Sequence, residues 1–194
     1  MKYLALGDSY TIGESVAEPE RWPNQLAALL TTGKVEMQTS IIATTGWRTD
    51  NLRNAITIAK PKEEYDLVSL LIGVNNQYQG RSLDQYATDF EELLKISVRL
   101  ANGNKENVFV VSIPDYGFTP FGHTNQSKIS PAIDQFNEIS RKIASQYNVK
   151  FVNITDISRQ GISDPSLVAG DGLHPSGKMY ALWVQRIAKE IKLK

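Results

Sequence analysis

The chain has 194 residues, enough for one domain that buries a sizeable core without help. Lys plus Arg and Asp plus Glu each total 21, so the formal net charge is zero. The basic residues are scattered, which excludes the clustered excess that a polyanion binder needs, and nucleic acid is not an expected partner. Cysteine is absent, which removes disulfides, thiolate nucleophiles and cysteine-based metal sites.

Met1-Lys2 lead straight into the short apolar run Tyr3-Leu4-Ala5-Leu6. This run is too short for the core of a signal peptide, and no segment reaches the length of a membrane span, so the chain reads as cytoplasmic. Pro23 suits a first helical turn, and Leu26, Leu29 and Leu30 then recur at helical spacing. A second apolar run covers Val35 to Ala43. Asp50 to Ala59 sets Leu52, Ala55, Ile56 and Ala59 on one helical face. Asp66 to Ile72 is almost continuously apolar. Leu83 to Leu100 carries the clearest helical stripe, through Tyr86, Phe90, Leu93, Leu94 and Ser97. Val108 to Ile113 forms a fourth apolar run, stopped by Pro114. An amphipathic stretch over Ile133 to Tyr147, a last run over Val149 to Ile154 and a helix over Lys178 to Ile191 complete the chain.

Continuous apolar strands mark a parallel sheet covered on both faces. The strict alternation of strands and helices predicts a three-layer α/β/α sandwich with right-handed crossovers over residues 1–194. Five strands favour the flavodoxin-like order 2-1-3-4-5, in which sites form beyond the carboxyl ends of the strands.

Chemistry-bearing residues do follow the apolar runs. The first run ends in Gly7-Asp8-Ser9-Tyr10-Thr11, with Gly13 beyond. A serine at a sharp strand-to-helix turn projects its hydroxyl above the sheet, and a helix N-terminus beneath it favours a developing oxyanion. Taken alone, Ser9 or Thr11 serves equally well as a helix cap. A serine nucleophile needs a base, and the chain has two histidines. His123 sits in a glycine- and proline-rich loop without a well-spaced acid and reads as a solvent-facing residue. His174 lies in Gly170-Asp171-Gly172-Leu173-His174-Pro175, where a glycine-flexed turn folds the Asp171 carboxylate back onto the imidazole. In isolation this turn reads rather as an N-terminal cap at Asp171 beside a surface histidine. Gly46, after Thr44-Thr45, offers a backbone N–H, and Asn75, after Gly73-Val74, offers a side-chain amide. Turn roles stand open for both.

In combination these segments resemble the SGNH (GDSL-type) hydrolase family, whose blocks carry serine, glycine, asparagine and histidine in that order. Gly7-Asp8-Ser9, Gly46, Gly73-Val74-Asn75 and Asp171-x-x-His174 match the four blocks from residue 7 to residue 175. The resemblance implies a serine ester hydrolase with Ser9 as nucleophile, Asp171 and His174 completing the triad, and an oxyanion hole from Ser9, Gly46 and Asn75. It implies no metal and no organic cofactor. Two positions depart from the pattern. Tyr10 replaces the usual Leu, outside the chemistry, and Asn76 stands where the third block commonly has Asp, which removes any ionic support for Asn75 from that position.

The expected substrate is a small-molecule ester. The segments near the site carry Trp47, Asn76, Tyr78 and Arg81, with Arg48, Gln77, Gln79, Tyr116 and Phe118. Such a polar and aromatic rim fits a short acyl group on a polar alcohol, for example an acetylated sugar. Lysophospholipase and thioesterase activities occur on the same scaffold. A reading from another class is a flavodoxin-like phosphate- or FMN-binding module, with residues 7–13 as the phosphate loop; it leaves Gly46, Asp171 and His174 without a purpose.

Overall fold

The structure, a computed structural model, describes residues 1–33, 36–62 and 64–191. At its centre is a five-stranded sheet in the order β2-β1-β3-β4-β5, with β1 (Lys2–Gly7), β2 (Gln38–Ala43), β3 (Leu67–Leu71), β4 (Val108–Val111) and β5 (Lys150–Val152). Every pairing is parallel, with Gly7 level with Ala43 on one side and with Leu71 on the other. β3 and β4 are buried from end to end, and β1 from Tyr3 onward, because helices cover both faces, which is why they read as continuous apolar runs. The edge strands β2 and β5 are only partly buried.

On one face α2 (Trp22–Leu30) packs against α8 (Gly177–Glu190). The other face carries α3 (Thr49–Ala59), α5 (Leu83–Leu100) and α6 (Gln126–Gln146) in contact along the layer. The buried apolar side chains form one continuous cluster, with Trp22 and Trp183 as its largest members. No helix among the described residues is long and apolar enough to cross a membrane.

Most expected elements lie where the periodicity placed them, and α5 has the expected bounds. Val35 lies outside the described residues, and the second strand starts at Gln38. Leu29 does not join the apolar stripe of α2, since it is 55% exposed. Helix α6 begins at Gln126 rather than at Ile133 and contains Pro131. Pro131 and Ser127 both lie on the exposed side of the helix. There the Ser127 carbonyl, which Pro131 cannot serve, is free to take a water. Three helices have only four or five residues: α1 (Ser9–Ile12), at the strand-to-helix turn expected after Gly7, and α4 (Val74–Tyr78) and α7 (Thr155–Ser158), which were not expected.

Candidate active site

The carboxyl ends of β1, β2 and β3 and the loop before α8 converge on a cavity of about 190 Å³. Its walls include Ser9, Gly46, Asn75 and His174. A larger groove of about 740 Å³ lies at the amino ends of β4 and β5, around Lys105, Arg141 and Lys150, and none of the candidate site residues lines it.

Ser9 is the first residue of α1, and Asp8 rather than Ser9 caps that helix, its carboxylate accepting from the Tyr10 N–H at 3.1 Å. Capping by Asp8 leaves the Ser9 side chain for the cavity. It also occupies an amide that a phosphate would need, which disfavours residues 7–13 as a phosphate loop. With a single turn, α1 has little dipole to lend to an oxyanion. The Asp8 carboxyl is fully buried and one of its oxygens is without a hydrogen-bond partner; burial pushes its pKa up to about 7.

The late loop folds as the Asp-x-x-His spacing predicts. Asp171 receives four donors. One oxygen, Oδ1, accepts the N–H groups of Leu173 at 2.9 Å and His174 at 3.0 Å. The other, Oδ2, lies 2.6 Å from His174 Nδ1 and accepts the Ser15 hydroxyl at 2.6 Å. Asp171 does not cap the following helix, whose N-cap is Ser176; its Oδ1 closes a turn on two loop amides while Oδ2 faces the imidazole of a buried His174. Burial raises the Asp171 carboxyl, but the bonds from Ser15, His174 and the two amides outweigh it and hold the group well below the usual carboxylate range. A carboxylate at Nδ1 fixes the tautomer that leaves Nε2 unprotonated. The His174 ring also meets Tyr10 edge-on, with centroids 5.7 Å apart. Among the described residues Ser9 and His174 meet as cavity walls rather than through a hydrogen bond of their own, the looser geometry usual before substrate enters.

Gly46 has φ of +83° with open space where a Cβ would stand, so glycine serves the backbone conformation there rather than clearance. Gly73 has both reasons: φ is +134°, and a Cβ would come within 2.7 Å of the Tyr86 ring. That tight corner starts α4, which turns Asn75 toward the cavity. The Asn75 amide donates to the Trp47 carbonyl at 2.9 Å, and its second N–H remains for the cavity.

The expected substrate contacts divide. Tyr78 lines the cavity, and so does Tyr116, whose hydroxyl donates to Gln77. Trp47, Asn76 and Arg81 do not line it. Trp47 packs against the core, Arg81 is exposed beyond the end of α4, and Asn76 is buried in a polar network. The Asn76 carbonyl accepts the Thr49 N–H at 3.1 Å, and its amide donates to the Thr49 hydroxyl at 2.8 Å. That hydroxyl donates to Asp89. Helical geometry explains the split, because Asn75 and Tyr78 share a face that Asn76 cannot reach. Arg48 pairs with Asp50 and Gln79, Phe118 packs under Arg159, and His123 is exposed as expected.

The sequence reading missed Tyr10, Thr45, Val74, Phe121 and Leu173 as cavity walls. Tyr10, placed outside the chemistry by its sequence position, instead touches the imidazole. Its adjacency to Ser9 and that of Leu173 to His174 were usable signals. Phe121 had none: its N–H donates to the Gly172 carbonyl, a contact made only in the fold. With Tyr78 and Tyr116 it forms a three-ring lip, with centroids 6.1 to 6.5 Å apart.

A family model described as GDSL-like lipase/acylhydrolase matches residues 5–182. No relative among curated proteins is found by sequence. Solved structures share the fold at low identity. TesA aligns at 16% identity over 99% of this chain and 98% of its own, with a TM-score of 0.78. Axe2, an acetylxylan esterase from Geobacillus stearothermophilus, aligns at 20% over 100% and 94%, with a TM-score of 0.75. The psychrotrophic esterase EstA from Pseudoalteromonas sp. aligns at 20% over 98% and 96%, with a TM-score of 0.71.

Proposed function

The chain belongs to the GDSL-like lipase/acylhydrolase family and is a carboxylic ester hydrolase; on that premise we propose that it acts through an acyl-Ser9 intermediate on short-acyl esters of polar alcohols. The observation that carries this reading is the meeting of Ser9, Gly46, Asn75 and His174 in one cavity, with the Asp171 carboxylate 2.6 Å behind the imidazole. Ser9 Oγ attacks the ester carbonyl and its proton passes to His174 Nε2. Asp171 stabilises the imidazolium, and the N–H groups of Ser9, Gly46 and Asn75 receive the oxyanion. His174 then protonates the departing alcohol. Water, activated by the same imidazole, cleaves the acyl-serine.

The short-acyl preference is supported by the cavity volume of about 190 Å³, small for a long chain. The aromatic lip of Tyr78, Tyr116 and Phe121 supplies a flat apolar surface against which the ring of a polar alcohol can lie. The structural neighbour Axe2 is an acetylxylan esterase, in keeping with this choice.

Ser9→Ala is expected to abolish turnover of p-nitrophenyl acetate and labelling by a fluorophosphonate, with an unchanged circular dichroism spectrum. Turnover at the wild-type rate would overturn the assignment. A panel of p-nitrophenyl esters should fall in kcat/KM as the acyl chain lengthens beyond acetyl and butyryl; a preference for long chains would refute the substrate reading alone.

A further inference from the structure

We propose that Ser15 is a positioning residue for the acid–base step, its hydroxyl tying the Asp171 carboxylate to the segment that carries Ser9. The inference rests on the roles proposed above for Ser9, Asp171 and His174.

Ser15 lies just beyond α1, after Gly13 and Glu14, and 156 positions from Asp171, so its 2.6 Å bond to Oδ2 joins the nucleophile segment to the late loop. The bond lands on the oxygen that faces His174 Nδ1, while Oδ1 is held by the loop's own amides. Oδ2 would have the imidazole alone without Ser15, and no tie would cross from the late loop to residues 13–15 through this carboxylate. Ser15 adopts φ of +66°, a left-handed conformation that a residue with a Cβ adopts at a cost. The conformation is fixed by Gly13 and Glu14, whose N–H groups both donate to the Ser9 carbonyl. The chain thus bends back over the nucleophile, and the bend delivers the Ser15 hydroxyl to the carboxylate. Ser15 does not line the cavity. Its influence on turnover must therefore pass through Asp171.

Sharing Oδ2 between two donors has a chemical consequence. A hydroxyl donated to a carboxylate disperses its charge, and the imidazolium facing that oxygen is stabilised less than it would be by an unshared one. Removing the hydroxyl should therefore favour protonation of His174 and carry the acid limb of the rate profile to higher pH. The other titratable groups around the imidazole do not change with Ser15. Tyr10 packs against the ring, with its phenol pushed well above its ordinary range by burial. Tyr116 stands across the cavity. Asp115 is paired with Arg159 at 2.9 Å, Glu14 accepts the Thr45 hydroxyl, and Asp8 lies beneath α1.

The test compares Ser15→Ala with Ser15→Gly. Both delete the hydroxyl, but glycine is at ease at positive φ and alanine is not, so the two should differ in stability. In both variants the acid limb of kcat/KM for p-nitrophenyl acetate should move up by roughly half a pH unit, about a threefold loss on that limb, with KM unchanged. The chain has two histidines, and His123 is exposed. The downfield proton resonance of the His174 Nδ1–H should therefore be readable alone, and it should move further downfield in both. Profiles and resonance matching wild type in Ser15→Gly would overturn the proposal and assign Ser15 a backbone role. His174→Ala is the control for the underlying reading. If it retains wild-type turnover, the triad itself falls; if it is inactive while both Ser15 variants match wild type, only the Ser15 proposal falls.

Discussion

Asn75 commits one amide proton to the Trp47 carbonyl, which leaves the other for the cavity that Ser9 and Gly46 also line. A donor fixed before substrate arrives costs no reorganisation when charge develops on the carbonyl oxygen. Asn75→Ala should therefore lower kcat for p-nitrophenyl acetate by about 10²–10³ with little change in KM. Steady-state kinetics decides this, and an equal loss shared by KM would mean that Asn75 binds the ground state instead. At this scale the site was legible where a residue type is scarce or a motif fixes its neighbours. With two histidines in the chain and one acid spaced three residues from His174, the contact between Asp171 and His174 could be anticipated without a structure, and the acid–base role proposed for the pair rests on it. Which way a side chain turns was not legible. Neighbouring residues on α4 face opposite environments, so Asn76 and Tyr78 could not be sorted by proximity to Asn75.

Helix α4 matters as an element because a polar clamp holds it against the start of α3. Asn76 accepts from the Thr49 backbone and donates to its hydroxyl, and that hydroxyl donates to Asp89, which is 7% exposed. The third sequence block commonly has Asp where this chain has Asn76, and the network supplies the reason for the departure. Asp89 on α5 already provides the carboxylate, itself held by Gln85 and facing Arg53 at 3.8 Å. A second carboxylate at position 76 would have no proton to offer Thr49 and would place two charges around one hydroxyl. Asn76→Asp should thus destabilise the fold by about 1–3 kcal/mol, read from urea unfolding. Wild-type stability would show that the clamp is not needed. Elements of this kind are hard to read from sequence because one turn of helix has no periodicity. The 18-residue stripe of α5 fixed its own ends, whereas α1, α4 and α7 are set by corners such as Gly73 and by capping from Asp8, which are tertiary facts.

For the molecule as a whole, the order of strands and helices was legible because every crossover in a covered parallel sheet obeys the same handedness, and the site then had to form where β1 and β3 part. Less visible in the sequence is that the first strand ends by burying Asp8 completely, since burial belongs to the fold and not to the residue type. The consequence reaches global stability. With a folded pKa of about 7 against an ordinary 3.8, Asp8 is protonated in the native state and ionised in the unfolded chain between those values. The native state then binds the extra proton, so stability falls as pH rises through that interval, by about 4 kcal/mol. Asp171 acts in the opposite sense. Its folded pKa is lowered, so its contribution is complete above the ordinary carboxylate range and is lost as the solution becomes more acidic than that. Asp50, Asp156 and Asp164, held down by Arg48, Arg186, and Ser166 with Lys178, add to the acid side, weakly because they are largely solvated. The two trends enclose a maximum of thermal stability in acidic solution, at about pH 4, where the Asp171 contribution is complete and the Asp8 penalty has yet to develop. Asp8→Asn keeps an oxygen for the Tyr10 N–H and removes the titration. Its melting temperature should be flat from pH 4 to 8 where that of the wild type declines, and two parallel curves would show that Asp8 is ionised in the folded protein at neutral pH.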